Sequence, residues 1–330
     1  MFKESPMTRT KILLALSVGI VLLATPAWAD FRMERHMALE PGGTFTLSAD
    51  VGAMTLTGDS TSGVTVTVTS RRDDFEQLFD LHFEESAGRA SVTVKRRGSW
   101  PKGFWNGDWS NDNTHFVIHV PARAAVNLST SGGSLDVSRL AGQVGLRTSG
   151  GSLHVESIEG NVDGKTSGGS IRMRDVRGDI TTSTSGGSIN IVDVKGNLRA
   201  MTSGGGIDVE NVSGESYAST SGGGVEIREA GGRVEAHSSG GPVTVWFAAG
   251  NNRGGDLSTS GGGVRTEIDP SVALTIDASS SGGGVSTDVP VTVQGRIDKH
   301  SLRGDLNGGG AVLRLRSSGG GVRISRATAR

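Results

Sequence analysis

Asp175, Asp193, Asn211 and Glu229 follow one another at 18-residue intervals. If successive repeats stack, neighbouring carboxylates in this column lie about 5 Å apart. A retaining glycosidase uses that spacing for its acid and nucleophile, and the same spacing grips Ca²⁺. Arg177 and Lys195 stand two residues further on in the same repeats, placed to neutralise the acids. Columns of one sign balanced by columns of the other are what a solvated face needs. The column is therefore expected to be structural, with neither catalytic residues nor a metal.

A second candidate is the aromatic segment Ser99-Trp100-Pro101-Lys102-Gly103-Phe104-Trp105-Asn106-Gly107-Asp108-Trp109-Ser110. Three of the chain's five Trp fall within ten residues, in a sequence whose aromatic content is 5%. Flat rings suit sugar faces or a protein partner when exposed, and they plug a core when buried. If the protein has a specific binding site, the sequence places it at Trp100, Phe104, Trp105 and Trp109.

Three further signals favour structure over chemistry. Arg177-Gly178-Asp179 and Arg303-Gly304-Asp305 resemble integrin-type tripeptides, but Gly178 belongs to a recurring turn position. The threonine ladder Thr130, Thr148, Thr166, Thr184, Thr202 and Thr220 has the parity of inward residues, so its hydroxyls are expected to bond corner carbonyls. His115 and His119 share one face of a strand-like segment about 13 Å apart, too far for one metal. Phosphate-binding loops, zinc-protease, nucleophile-elbow and toxin-type Ca²⁺ motifs are all missing from the sequence.

The elements that position these residues follow from repetition. Ser-Gly-Gly recurs at Ser131, Ser149, Ser167, Ser185, Ser203, Ser221 and Ser239, every 18 residues, then at Ser260 and Ser281 after 21, and again at Ser318. Counting each serine as zero, apolar residues fall at +4, +6, +9, +13 and +15, as in Ile189, Ile191, Val194, Leu198 and Ala200. Glycine recurs at +11. Pairs two apart mark two short strands per repeat, joined by turns at +11 and at Ser-Gly-Gly, where positive φ is easy for glycine. A two-strand coil cannot bury its apolar face alone, whereas stacked coils do. The expected fold is all-β, a parallel β-solenoid of about ten coils with 18–21-residue repeats over 126–325. Residues 30–125, with Phe45/Leu47, Val64/Val66/Val68 and Val92/Val94 alternating, are expected to form irregular coils or a cap, with 75–83 a short helix or strand. Ser318 to Ile324 is expected to close the array, leaving 326–330 as a tail.

These residues resemble the bacterial putative-adhesin family, a domain of unknown function made of β-strand repeats. The likeness is carried by the Thr-Ser-Gly-Gly-Ser-Ile units, by Phe116-Val117-Ile118-His119-Val120-Pro121, and by Leu306-Asn307-Gly308-Gly309-Gly310 with Arg316 to Ile324. It covers most of residues 40–325. It implies a repeat fold and no catalytic residues.

Composition and targeting complete the reading. With 52 Gly, 8 Pro and no Cys among 330 residues, the chain is neither collagen-like nor disulfide-framed. Lys3, Arg9 and Lys11 precede a 13-residue apolar run from Ile12 to Ala24, and Ala27-Trp28-Ala29 fits a cleavage site. That run is short for a span of about 20 residues, so 1–29 is expected to be a signal peptide and the product an exported periplasmic, surface or secreted protein. Without it, 30 basic residues face 33 acidic ones, which gives no footprint for nucleic acid. The expected function is a non-enzymatic adhesin-like binding or structural scaffold of the cell envelope, without a cofactor. Its expected partners are polysaccharide, cell wall or an envelope protein. The alternatives are a β-helix polysaccharide lyase or hydrolase, and an envelope-stress or assembly factor that binds a membrane protein. An exposed end coil would favour end-to-end self-association.

Overall fold

Residues 31–59, 62–98, 114–269, 271–293 and 298–327 are described by a computed structural model of the chain. Trp100, Phe104, Trp105, Trp109 and the segment 1–29 lie outside the described residues.

Each 18-residue repeat contributes one strand to each of two facing sheets. Leu153–Glu159 belongs to a 14-stranded sheet, and Val162–Lys165 of the same coil to a 15-stranded one. Neighbouring coils pair in parallel and in register: Leu153 lies between Leu135 and Ile171, and Val162 between Val144 and Ile180. The result is the β-solenoid expected from the repeat, flattened into a two-sided rack. Its interior is the predicted apolar set, with Ile189, Ile191, Val194, Leu198 and Ala200 no more than 2% exposed.

An interval of three residues separates inward +6 from inward +9, which a regular strand with period two cannot provide. The +8 residue supplies the missing half-step. Arg139, Ser157, Asp175, Asp193, Asn211 and Glu229 all have φ between 51° and 59°, and the ladder pairing skips them, passing from Glu156↔Arg174 to Ile158↔Val176. Each coil thus carries a bulge stacked on the bulge of its neighbour, returning +9 to the core. After Glu229 the register shifts against Val243–Phe247. The wider 21-residue coil is tied back by buried Asn251, whose side-chain amide donates to the Gly232 carbonyl at 2.8 Å.

The Ser-Gly-Gly corners correct the expectation of positive φ. Among the second glycines of these corners, Gly151, Gly169 and Gly187 are absent from the left-handed region. What demands glycine is proximity. A Cβ on Gly187 would lie closer than 3.0 Å to the Gly169 carbonyl of the preceding coil, and one on Gly169 would meet Gly151 in the same way. The threonine ladder fastens this corner as expected: Thr166 Oγ1 donates to the Gly151 carbonyl at 2.7 Å and Thr184 Oγ1 to Gly169 at 2.8 Å.

Both ends depart from sequence order. At the N-terminal end, the coil made by Thr44–Ala49 and Ala53–Asp59 lies between the later coil Arg89–Arg96/His115–Pro121 and the first regular coil, Ala125–Thr130/Leu135–Ala141. Antiparallel strands Phe31–Met37, Val64–Ser70 and Phe79–Ser86 cover the outer coil Arg89–Arg96/His115–Pro121. Residues 75–83 form both expected elements, a single helical turn Phe75–Leu78 and then a strand. The rings of Phe31, Phe75 and Phe79 close this end, with centroids 4.8–5.0 Å apart.

At the other end, Val312–Ser317 and Val322–Arg326 do not close the array as the sequence suggests. They lie between the coil Gly255–Thr259/Val264–Ile268 and the coil Leu274–Ser280/Val285–Thr287. The outermost strands are a two-residue strand, Thr292–Val293, and the three-residue Val285–Thr287. At the opposite end, charged Phe31–Met37 and Phe79–Ser86 are outermost. Short and charged edges discourage further pairing.

Candidate functional site

The acidic column is explained by its backbone. Asp and Asn tolerate the left-handed conformation better than other side-chain-bearing residues, and the same column holds Arg139 and Ser157. Asn211 Nδ2 donates to Asp193 Oδ1 at 2.6 Å, so these exposed side chains link one coil to the next. Arg177, set to balance the column, instead pairs with Glu159 at 3.2 Å.

The two Arg-Gly-Asp tripeptides are similarly absorbed. Asp179 Oδ1 accepts the Asn197 N–H at 2.8 Å, one rung of a ladder that runs from Asn161 to Glu215. Asp305 accepts from Thr275 Oγ1 at 2.8 Å, and Arg303 reaches Asp277 at 3.6 Å. His115 lies 3.1 Å from Thr55 Oγ1 and His119 lies 2.9 Å from Asp59 Oδ2, each on its own partner. Among the described residues no His, Asp and Glu gather as a metal site, and no helix is long and apolar enough to cross a membrane.

Asp277 is a centre the sequence did not announce. Arg316 donates to its carboxylate at 2.8 Å, with Arg303 at 3.6 Å and Arg314 at 3.8 Å, and its side chain is only 18% exposed. The hydrogen bond from Arg316, aided by the charges of Arg316, Arg303 and Arg314, holds the carboxyl below its usual range against the opposing effect of burial. The cluster ties the displaced coil to the coil outside it and to the strand Ser301–Leu306. On the same sheet, the Arg199 guanidinium lies 4.0 Å above the Tyr217 ring.

Of the segment that holds the aromatic candidates, only the flanks are described. Arg89–Arg96 ends in one sheet and His115–Pro121 begins in the other. The Arg96 N–H donates to Asp50 Oδ2 at 2.9 Å and the Arg97 N–H to the Leu78 carbonyl at 2.7 Å, which fixes the departing end.

A protein-family model described as Toastrack DUF4097 matches residues 46–325. No curated protein matches the chain. Among solved structures it is similar to a putative adhesin from Bacteroides fragilis, at 8% identity and a TM-score of 0.37, over 90% of this chain and 98% of that one. It is also similar to a putative lipid binding protein from Parabacteroides distasonis, at 12% identity and a TM-score of 0.38, over 89% and 96%. A third is a putative cell adhesion protein from Clostridium sporogenes, at 12% identity and a TM-score of 0.22, over 90% and 100%.

Proposed function

Because the chain belongs to the Toastrack DUF4097 family, we propose that it is an exported, non-enzymatic binding scaffold of the bacterial cell envelope, holding polysaccharide, cell wall or an envelope protein along its rigid faces. The observation that carries this reading is the length and composition of the sequence between Gly98 and Thr114. Elsewhere four small residues, such as Ser149 to Ser152, separate the strands at this edge, and here the sequence between the described flanks is 99–113, with Trp100, Phe104, Trp105 and Trp109 among them. Insertions at one corner of a rigid repeat scaffold put variable chemistry on a surface that needs no remodelling to bind. Indole and phenyl rings gain most from contact with flat, partly apolar partners such as sugar faces. The bulge geometry at Asp175 and Asp193 supports assigning those carboxylates to the scaffold.

The test is retention of the purified protein, and of a Trp100→Ala/Trp105→Ala variant, on a panel of polysaccharides and peptidoglycan, with released sugar measured alongside. Retention without product, lost in the variant, is the expected outcome. Release of reducing or unsaturated sugar refutes the non-enzymatic reading. Equal retention of both proteins refutes the assignment of the site, and retention on none of the panel moves the role to a protein partner.

A further inference from the structure

The rack has a trough on one edge, and its floor is set by one repeat position. At +3 the early coils carry Ser134, Ser152, Ser170 and Ser188, and the hydroxyls of Ser134, Ser152 and Ser170 each accept the +3 N–H of the next coil at 3.2–3.3 Å. From the next coil onward the position holds Gly206, Gly224, Pro242, Gly263, Gly321 and Gly284 in spatial order. Two depressions of ≈ 370 and ≈ 440 Å³ lie end to end over these residues and share Pro242 and Thr244. Together they span six coil steps from Ser188 to Gly284, ~29 Å at about 4.8 Å per step.

The floor of this trough offers donors without acceptors. The carbonyls of Gly206, Gly224, Gly263, Gly321 and Gly284 are taken by backbone N–H groups of adjacent coils. With no serine hydroxyl on the preceding coil, the N–H groups of Gly224, Gly263, Gly321 and Gly284 meet no acceptor among the described residues. The wall is the +5 column. Asp208 and Glu226 are both held by Arg228, whose Nη1 lies 3.3 Å from Asp208. Further along, Arg265 and Arg323 stack as direct register partners. Arg323 has Asp288 at 3.7 Å, while Arg265 is exposed and has no anionic partner among the described residues.

We propose that this trough binds a linear acidic polysaccharide laid along the rack axis, its oxygens on the glycine N–H row and a carboxylate on Arg265. An added β-strand needs alternating donors and acceptors, and this floor presents donors only. An extended 1,4-linked uronate chain is rich in acceptors and advances per ring by nearly one coil step. Arginine is suited to a bidentate hold on its carboxylate. The inference rests on the binding-scaffold reading and adds the ligand class and a second contact surface.

The experiment measures binding of polygalacturonate and of its methyl ester to the full protein, to three single variants and to Trp100→Ala/Trp105→Ala. Gly206→Ser restores the serine ladder: a Cβ there first meets the Gly224 carbonyl at 3.4 Å, so the side chain fits. Arg265→Gln removes the free cation, and Ser170→Gly is the control outside the trough. The expected result is affinity for the acid well above that for the ester. Gly206→Ser and Arg265→Gln should each lose about tenfold on the acid, with Ser170→Gly unchanged and melting temperatures preserved. If Gly206→Ser fails to fold, Arg265→Gln alone decides. Equal affinity for acid and ester, unaltered binding in both trough variants, or no binding to either polymer overturns the proposal. Loss in Trp100→Ala/Trp105→Ala alone overturns the trough while leaving the scaffold reading intact.

Discussion

Adjacent glycines of one Ser-Gly-Gly corner should respond oppositely to the same substitution. Gly186 has its nearest hypothetical Cβ contact at 3.4 Å, on the Gly168 carbonyl, whereas a Cβ on Gly187 would intrude within 3.0 Å of the Gly169 carbonyl. Gly186→Ala keeps every contact and restricts the unfolded chain, a gain of roughly 0.4–1 kcal/mol. Gly187→Ala must push two coils apart at a point where neither side has a flexible group to yield. Overpacking of this kind costs about 3 kcal/mol. The shift also strains the bonds from Thr184 Oγ1 to Gly169 and from Thr202 Oγ1 to Gly187, both 2.8 Å, worth about 1 kcal/mol each. The sum is ~5 kcal/mol, or a fall of about 8 °C in melting temperature for a chain of this size. Thermal unfolding followed by circular dichroism on the two variants checks it. Equal melting temperatures for Gly186→Ala and Gly187→Ala would refute the claim that proximity, and not turn conformation, selects glycine here.

Two other outcomes follow from the geometry. Glu229→Gly should raise stability by about 0.5–1 kcal/mol, because a left-handed backbone costs a side-chain-bearing residue about 1–2 kcal/mol and glycine's greater entropy loss on folding offsets part of that; Glu229→Ala keeps its Cβ and should give no such gain, and denaturant midpoints compare them. Asp277→Asn should cost about 2 kcal/mol at neutral pH by weakening charge-assisted bonds to Arg316. Because the folded carboxyl is held below its unfolded value of about 3.9, that contribution is present above pH ~4 and drains away as pH falls through and below it. Denaturant titrations of parent and variant from pH 7 to pH 3 should therefore converge, and a constant gap across that range would contradict the ion cluster's role.

The repeat made most of the rack readable in advance. Ile189, Ile191, Val194, Leu198 and Ala200 state strand, face and coil in one line, and the inward threonines follow from parity alone. The +8 column reads as structural from the sequence, but its backbone role is hidden because its conformation is shared while its residue type is not: Asp175 and Asn211 suit positive φ, but Arg139 and Glu229 conceal it. The reason for glycine at Gly151, Gly169 and Gly187 lies between coils, and local turn preferences do not register an approach across 18 residues. The trough was written as the change from Ser188 to Gly206 and Gly224, visible only once +3 is known to be an inter-coil acceptor. Leu313, Leu315, Val322 and Ile324 have the pattern of any coil, so they specify a layer without specifying its neighbours. For the proposed binding site, the sequence supplied Trp100, Phe104, Trp105 and Trp109, and the described residues reach only to their flanks, Gly98 and Thr114.

The displaced end coils also constrain how the chain can be completed. An ordinary solenoid grows by adding each new coil to the last, so a half-made chain already has its finished order. Here the layer containing Leu274–Ser280 has no final seat until Val312–Ser317, synthesised later, has docked against Gly255–Thr259. At the other end, the layer of Thr44–Ala49 is flanked by strands that both follow it in the chain. Neither end can be sealed in the order in which the chain emerges. Extra coils can be gained or lost within the regular 18-residue array, where a duplication preserves every neighbour, but additions at either terminus have no open layer to extend. The length of the rack is thus free to drift while its two closures are fixed.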